Sequence, residues 1–276
     1  MMRISRSRFL SSLLSCSLLT CLTSFAADPA PPASITLPKK ESLHLYLLIG
    51  QSNMAGRGVV EAVDKKPHER VVMFTKEQKW APALDPLHFD KPIAGVGLGS
   101  TFGRVMADAN PGVTIGLVPC AVGGTPLERW QQDKDLYKAA LVRIKAAMKD
   151  GTLKGILWHQ GESDSGDLEK SKTYATRLAA MVEAWRKDLD APNVPFVAGE
   201  LGDFLAETSK DGKPVHWKLV NEQIAQIPTL VKNAAVVDSS GLKHKGDVVH
   251  FDSASLRELG KRYAKAMQEL QAGRSK

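Results

Sequence analysis

The sequence predicts an α/β fold of three layers, α/β/α, in which a doubly wound parallel sheet of about five strands lies between helices. One observation is that short apolar runs alternate along the chain with longer helical patterns, as in βαβ units. The other is that these runs are apolar throughout, which is typical of strands buried on both faces. With 276 residues, 43% of them hydrophobic, the chain is long enough to bury the core of one such domain. Right-handed crossovers complete the predicted architecture.

The predicted strands follow from the apolar runs. The first strand is expected at residues 43–49 (Leu-His-Leu-Tyr-Leu-Leu-Ile), where it ends at Gly50. Further runs predict strands at residues 71–74, 113–118, 155–158, 195–199 and 234–237. No internal repeat interrupts this order.

Helical patterns occupy most of the intervals between the strands. Their predicted positions are residues 101–109, 133–148, 168–189, 215–227 and 253–270. Asn110-Pro111-Gly112 ends the first of these helices and Asp150-Gly151 ends the second, as turn-forming residues do. The segment 81–99 is rich in Pro and Gly and is predicted to be a loop.

Residues 1–26 have the features of a cleaved signal peptide. A basic start precedes an apolar stretch at residues 9–22, and small residues follow at 24–26. The stretch is shorter than the ~18 residues that cross a bilayer, which disfavours a membrane anchor; Cys16 and Cys21 leave a lipoprotein interpretation open. We therefore expect an exported protein, periplasmic or secreted, with a Pro- and Ala-rich linker at 27–40 and a domain at 41–272.

Charge and cysteine content exclude several other classes. Loss of three Arg with residues 1–26 reduces the 37 basic residues to 34, against 30 acidic ones. Because these basic residues are scattered, we expect no nucleic-acid surface. Cys120 then remains as the single Cys, so the core must hold without an internal disulfide. Its apolar surroundings favour a small buried side chain over a nucleophile.

Polar and glycine residues concentrate in the loops where a ligand is expected to bind. In a doubly wound sheet that place is the carboxyl ends of the strands. The segments concerned are residues 50–56, 121–125 and 158–164, together with 247–252 before the last helix. Their joint placement is a stronger signal than any one of them, since a strand-end Ser or a Gly-Gly pair is commonly only a turn.

Ester hydrolysis needs a nucleophile, a base, a group that orients the base and donors for the oxyanion. We expect Ser52 to be the nucleophile, His250 the base and Asp247 the residue that orients the imidazole. The N–H groups of Ser52 and Gly123 and the side-chain amide of Gln160 are the candidate oxyanion donors.

Two other site chemistries are less favoured by the residues. His159, Glu162, Asp164 and His250 are potential metal ligands, but they do not have a recognised ligand spacing. No phosphate-loop or dinucleotide fingerprint follows the first strand. The residues therefore give no positive indication of a metal site or of a phosphate or dinucleotide cofactor.

Four ordered segments resemble the SGNH hydrolase superfamily, and more narrowly its sialate O-acetylesterase and acetylxylan esterase branch. They are residues 48–56, 119–125, 158–164 and 247–251, within a similarity that runs from about residue 43 to 270. The resemblance implies a flavodoxin-like sheet and a cofactor-free hydrolase with the roles given above. The superfamily's usual Gly-Asp-Ser is Gly-Gln-Ser here, and its usual Asn is Gln160; both replacements are normal in the carbohydrate esterase branch. Glu162 is a possible supporting carboxylate for His250 in place of Asp247.

The predicted activity is the removal of O-acetyl groups from carbohydrates, with an acetylated glycan or sugar as the substrate. The alternatives are a noncatalytic carbohydrate-binding protein on the same fold and a hydrolase of lipids or thioesters. Trp80, Trp130 and Trp217 are candidates for stacking on sugar rings, although large aromatics more often pack in the core. Oligomeric state is not predicted.

Overall fold

The computed structural model describes residues 35–211 and 216–273. The predicted signal peptide at residues 1–26 and the first part of the predicted linker, residues 27–34, lie outside these ranges. Within them the chain forms seven strands: β1 (Leu43–Gly50), β2 (Val71–Phe74), β3 (Trp80–Pro82), β4 (Thr114–Pro119), β5 (Thr152–His159), β6 (Phe196–Gly199) and β7 (Ala234–Val237). The α-helices of the same residues are α1 (Ser52–Ala55), α2 (Leu98–Ala109), α3 (Asp135–Ala147), α4 (Leu168–Lys172), α5 (Tyr174–Asp188), α6 (Trp217–Ile224), α7 (Ile227–Leu230) and α8 (Ser253–Gln271).

The strands of the described residues form one sheet in the order β3-β2-β4-β1-β5-β6-β7. All neighbouring strands run parallel except β2 and β3, which pair antiparallel at one edge. The predicted doubly wound parallel sheet is confirmed, but it has seven strands where about five were expected. Strand β3 was not predicted because three residues that end in a proline have no strand-like pattern; at the edge of a sheet, a strand tolerates Pro.

Both faces of the sheet are covered. Every residue of β1 except His44 is buried, and successive side chains of a strand point to opposite faces. Helix α3 packs against β1 and β4, while α8 packs against β6, β7 and α2. The predicted three-layer architecture is therefore confirmed.

The central position of β1 determines where the loops meet. Its parallel neighbours are β4 and β5, with Leu48 opposite Pro119 and Gly50 opposite His159. The segments that leave β1, β4 and β5 consequently start side by side at the carboxyl edge of the sheet. Chain order reverses at this point, as it does at the ligand-binding crevice of other open α/β sheets.

One predicted helix is divided in the structure, and another ends earlier than expected. The pattern at 168–189 forms α4 and α5, which are separated at Thr173, whose N–H and hydroxyl both donate to the Glu169 carbonyl oxygen. Such side-chain bonding to the preceding turn competes with regular helix geometry. The pattern at 215–227 contains α6, and α7 begins where it was expected to end. Before β1, Ile35 and Leu37 pack against the core.

Candidate active site

Ser52 stands at the carboxyl end of the central strand because the chain turns sharply after β1. Gly50 has φ +135°, and a Cβ atom there would lie 2.2 Å from the carbonyl oxygen of His159. Only glycine permits this close approach of β1 to β5. The N–H of Gln51 donates to the same carbonyl oxygen at 2.9 Å. Ser52 then begins α1, buried but at the edge where the loops converge.

The structure brings together Ser52, His250 and Asp247. The Ser52 Oγ lies 3.0 Å from His250 Nε2, and His250 Nδ1 lies 2.7 Å from Asp247 Oδ2. Asp247 Oδ1 also accepts the backbone N–H groups of His250 at 2.8 Å and Val249 at 3.1 Å. The carboxylate therefore holds both the ring and the backbone of the histidine.

Hydrogen bonding determines the protonation of this chain of groups. Burial opposes ionisation of Asp247, but the hydrogen bonds from the ring and backbone of His250 and from the N–H of Val249 lower its pKa to about 2. An ionised carboxylate only accepts hydrogen bonds, so His250 Nδ1 carries a proton. In the neutral ring Nε2 is then free to accept the hydroxyl proton of Ser52.

The other histidines considered as bases have different partners. His159 is fully buried, and burial lowers its pKa to about 3; its Nδ1 lies 3.1 Å from the Tyr263 hydroxyl. His244 Nδ1 accepts the N–H groups of Gly246 and Val248. Of these three histidines, it is His250 that contacts the Ser52 hydroxyl.

The predicted oxyanion donors Ser52 and Gly123 differ in their availability. The N–H of Ser52 lies in the first turn of α1 and has no intrahelical acceptor. The N–H of Gly123 donates to Asp90 Oδ2 at 2.8 Å, and the same oxygen lies 2.6 Å from Arg57 Nη2. A side chain at Gly123 would collide with that guanidinium, so the glycine is required by the buried Arg57–Asp90 pair.

The amide of Gln160 points into the protein. Its Nε2 donates to Gln51 Oε1 at 3.0 Å, the Thr125 carbonyl oxygen at 3.1 Å and Asp164 Oδ2 at 2.8 Å. Its Oε1 accepts from the Tyr174 hydroxyl. Both amide protons are therefore engaged, and this geometry does not favour the predicted role of Gln160 as an oxyanion donor. The residue ties the loops after β1, β4 and β5 together instead.

Glu162 contacts the loop that carries His250 (residues 247–251, the histidine loop) only through another side chain. Its Oε1 accepts Asn53 Nδ2 at 2.5 Å, and within the described residues its carboxylate has no hydrogen bond to His250. Burial raises the pKa of Glu162. Of the two carboxylates considered as partners of His250, it is Asp247 that contacts the ring.

Other candidate features of the sequence lie away from this chemistry. Among the described residues, no three His, Cys, Asp or Glu side chains are grouped as metal ligands would be. Burial raises the pKa of Cys120 to about 11, which agrees with an unreactive thiol.

Trp130 and Trp217 are buried, so they do not present a face to a sugar. A cavity of about 600 Å³ is lined by His44 and lies at the opposite edge of the sheet.

Several residues that shape the site were not predicted from the sequence. Asn53 bridges the loops, Asp90 and Arg57 form a buried ion pair beside Gly123, and Val248 has φ +53°. The polar side chains are distant in sequence from their partners, so spacing did not reveal them. Asn53 did lie within a segment singled out by its polar content, which was the one available signal.

Comparison with known proteins gives consistent matches. The family model described as "Carbohydrate esterase, sialic acid-specific acetylesterase" matches residues 42–269. A probable carbohydrate esterase of Arabidopsis thaliana is 31% identical over 259 residues, covering 87% of this chain and 92% of the relative.

Two solved structures are similar to the whole domain. A protein from Arabidopsis thaliana has a TM-score of 0.75 and 27% identity, covering 84% of this chain and 99% of its own. The crystal structure of NanS has a TM-score of 0.70 at 19% identity, covering 86% of this chain and 100% of its own; at that identity it supports the fold alone.

Proposed function

Because the chain belongs to the sialic acid-specific acetylesterase family of carbohydrate esterases, we propose that it removes O-acetyl groups from carbohydrates by Ser-His-Asp acyl transfer. Membership makes the chain a carboxylic ester hydrolase of the carbohydrate acetylesterase class. The observation that carries the proposed mechanism is the continuous contact from Ser52 Oγ through His250 to Asp247, at 3.0 and 2.7 Å. The proposed substrate is an acetylated glycan or sugar.

The proposed reaction has two acyl-transfer steps. Ser52 Oγ attacks the acetyl carbonyl carbon while its proton passes to His250 Nε2. The bond to the sugar oxygen then breaks, and His250 returns the proton to that oxygen, which leaves an acetyl group on Ser52. A water molecule next gives a proton to His250 and attacks the acetyl carbon. The bond from that carbon to Ser52 Oγ then breaks, His250 returns the proton to Oγ, and acetate leaves.

Charge stabilisation in these steps is assigned to backbone donors. The N–H of Ser52 has the best-supported geometry, because it stands in the first turn of α1, where donors are unpaired. The N–H of Gly123 would join it by exchanging its bond to Asp90 for the oxyanion. Gln160 is assigned the role of holding the loops, given its inward bonds.

The test is acetate release from a panel of acetylated glycans by the wild type, Ser52→Ala and a control. Ser171→Ala is a matched control, since Ser171 is a buried serine whose hydroxyl donates to the Asp167 carbonyl oxygen. We expect Ser52→Ala to lose acetate release by a factor on the order of 10⁶, together with labelling by a fluorophosphonate. Ser171→Ala should keep both.

Three other results would each contradict part of the proposal. Binding of acetylated glycans without acetate release or labelling would indicate a carbohydrate-binding protein. Turnover confined to long-chain esters or thioesters would indicate the lipid hydrolase alternative. Equal turnover by Ser52→Ala would remove Ser52 as the nucleophile.

Export is part of the proposal and rests on the pattern of residues 1–26. The product found outside the cytoplasm should begin at residue 27, as intact-mass measurement would show. In the part of the chain that the structure describes, no helix has both the length and the apolar character of a membrane span.

A further inference from the structure

The side chain of Asn53 uses both amide protons and its carbonyl oxygen in hydrogen bonds to two distant segments. Its Nδ2 donates to Glu162 Oε1 at 2.5 Å and to the Val249 carbonyl oxygen at 3.1 Å. Its Oδ1 accepts the N–H of Phe251 at 3.1 Å. The side chain is only 1% exposed, so these bonds form in a low-dielectric interior where an unmet partner is costly.

These hydrogen bonds hold the backbone of the histidine loop on both sides of His250. Val249 and Phe251 are its two neighbours in the chain, and Asn53 is the neighbour of Ser52. One side chain therefore links the backbone that carries the nucleophile to the backbone that carries the base. The distance between Ser52 and His250 is set by this frame as well as by their own contact.

The loop needs external support because part of it is strained. Val248, between Asp247 and Val249, has φ +53°, a left-handed conformation that a β-branched residue adopts only at a cost. Such a conformation persists when surrounding contacts over-determine it. The bonds from Asn53 supply contacts of that kind just beyond Val248.

Glu162 fixes the orientation of the amide. By accepting one proton of Nδ2, it directs the other proton to Val249 and the oxygen to Phe251. Its carboxylate acts on Asn53, whereas Asp247 contacts the imidazole directly. The two carboxylates therefore have separate tasks.

We propose that Asn53, oriented by Glu162, is a positioning residue that keeps His250 in line with Ser52 through the backbone of Val249 and Phe251. This inference rests on the proposed function of Ser52 and His250. It assigns Glu162 an indirect role that depends on its ability to accept a hydrogen bond.

The first test compares Asn53→Ala with the wild type and with Asn110→Ala. Asn110 also donates its amide to a carbonyl oxygen, that of Met106, but it lies before β4 at the opposite edge of the sheet. We expect Asn53→Ala to lower kcat by about 10²-fold, the scale of a misplaced catalytic group, while KM changes little. Asn110→Ala should change thermal stability and leave kcat unaltered. If Asn53→Ala fails to fold, Asn53→Asp replaces it, because it keeps the acceptor for Phe251 and loses both donors.

The second test separates hydrogen bonding from charge at Glu162. Glu162→Gln keeps an acceptor for Asn53, so its loss of kcat should be smaller than that of Glu162→Ala by about tenfold, the equivalent of one good hydrogen bond. The combined Asn53→Ala and Glu162→Ala variant should be no slower than the slower single variant, because both remove the same link. Equal losses for Gln and Ala at position 162 would overturn the inference in favour of direct charge support.

A spectroscopic readout keeps this inference distinct from the proposed function. The NMR signal of the His250 ring should shift or broaden in Asn53→Ala and not in Asn110→Ala. If the wild type releases no acetate and is not labelled at Ser52, but the His250 signal still responds, the proposed function fails while the positioning role stands. An unchanged signal, or an unchanged kcat in an active enzyme, would overturn the positioning role.

Discussion

Asp247 combines two tasks that would conflict if its carboxyl group carried a proton. It accepts two backbone N–H groups on Oδ1 and the ring proton of His250 on Oδ2, and Oδ2 can accept that ring proton only while it carries no proton of its own. Because its pKa is about 2, the carboxylate stays charged down to strongly acidic pH. Decline of activity on mild acidification should then not arise from this residue.

On the proposed mechanism, Asp247→Asn is expected to reduce kcat by a factor on the order of 10⁴, as for the orienting aspartate of known Ser-His-Asp enzymes. The amide would present a donor or a weak acceptor to Nδ1 and favour the wrong tautomer of His250. KM should change little. Steady-state kinetics at neutral pH checks this, with Asp135→Asn as the control, since Asp135 pairs with Arg129 on the surface. A loss of less than tenfold would contradict the assigned role.

The buried carboxyl group of Asp85 should make the free energy of unfolding depend on pH. Its burial raises the pKa to about 7, whereas an unfolded Asp titrates near 3.9. Between those values the folded state keeps the proton and the unfolded state releases it, so this residue's contribution to the free energy of unfolding falls as pH rises.

Asp85→Asn should therefore gain stability relative to the wild type between about pH 4 and pH 8. The asparagine oxygen can still accept the N–H of Gly97 as Asp85 does. Chemical denaturation at several pH values measures the difference. A constant difference across that range would show that Asp85 titrates at an ordinary pKa.

Single residues differ in how far the sequence reveals them. Ser52, His250 and Asp247 were predicted because each has the chemistry of a known role and stands at a strand end or beside a helix. Asn53 was not, because amides have many uses and its partner Glu162 is 109 positions away. The sequence also could not show whether the Gln160 amide is free to donate to an oxyanion, because this depends on which acceptors surround the amide in the fold.

At the scale of elements, the packing of α2 against α8 helps to fix the position of the loop that precedes α8 and carries His250. A Cβ atom on Gly260 would lie 2.5 Å from the carbonyl oxygen of Leu98 and 3.0 Å from the N–H nitrogen of Phe102. The two helices can approach this closely only because that side chain is absent. Helix α8 begins at Ser253, three residues after His250, so its position affects the loop before it.

Gly260→Ala is expected to lower the free energy of unfolding by about 1–3 kcal/mol, the usual cost of overpacking. The added methyl group would push on the backbone of α2, which cannot yield as a side chain can. Denaturant unfolding measures this loss. Gly166→Ala is the control, because a Cβ atom there has open space around it, and its effect should stay within about 0.5 kcal/mol.

Elements were predictable where the pattern was long and regular. Strands β2 and β7 have the predicted bounds, and α8 differs by one residue at its end. The division at Thr173 was not predicted, because it depends on a local hydroxyl bond that competes with the helix. The antiparallel β3 was missed because its pairing with β2 leaves no periodic signature in three residues.

At the scale of the molecule, the predicted domain boundary at residue 41 can be refined. Ile35 and Leu37 pack against the core, although they belong to the predicted linker at 27–40. We propose that the folded unit starts before residue 41. A chain that begins at Glu41 should lose about 1–3 kcal/mol of stability relative to one that begins at Ala27, because two partly buried apolar side chains are removed.

Thermal and denaturant unfolding of the two chains checks this expectation, and acetate release shows whether the site survives. Equal stability would place the boundary where the sequence analysis put it. Loss of folding in the chain that begins at Ala27 would show that earlier residues belong to the folded unit.

The contact between Ser52 and His250 joins positions 198 residues apart, and β7, the last strand of the described residues, ends at Val237, well before the histidine. A nascent chain could thus have all seven described strands synthesised while Ser52, the proposed nucleophile, still lacked a partner to deprotonate it. On the proposed mechanism, hydrolytic competence arrives only after residues 238–250, which follow β7 and include the base, have been translated. Premature stop codons before His250 should yield catalytically silent proteins that also lack α8 and its packing against β6, β7 and α2.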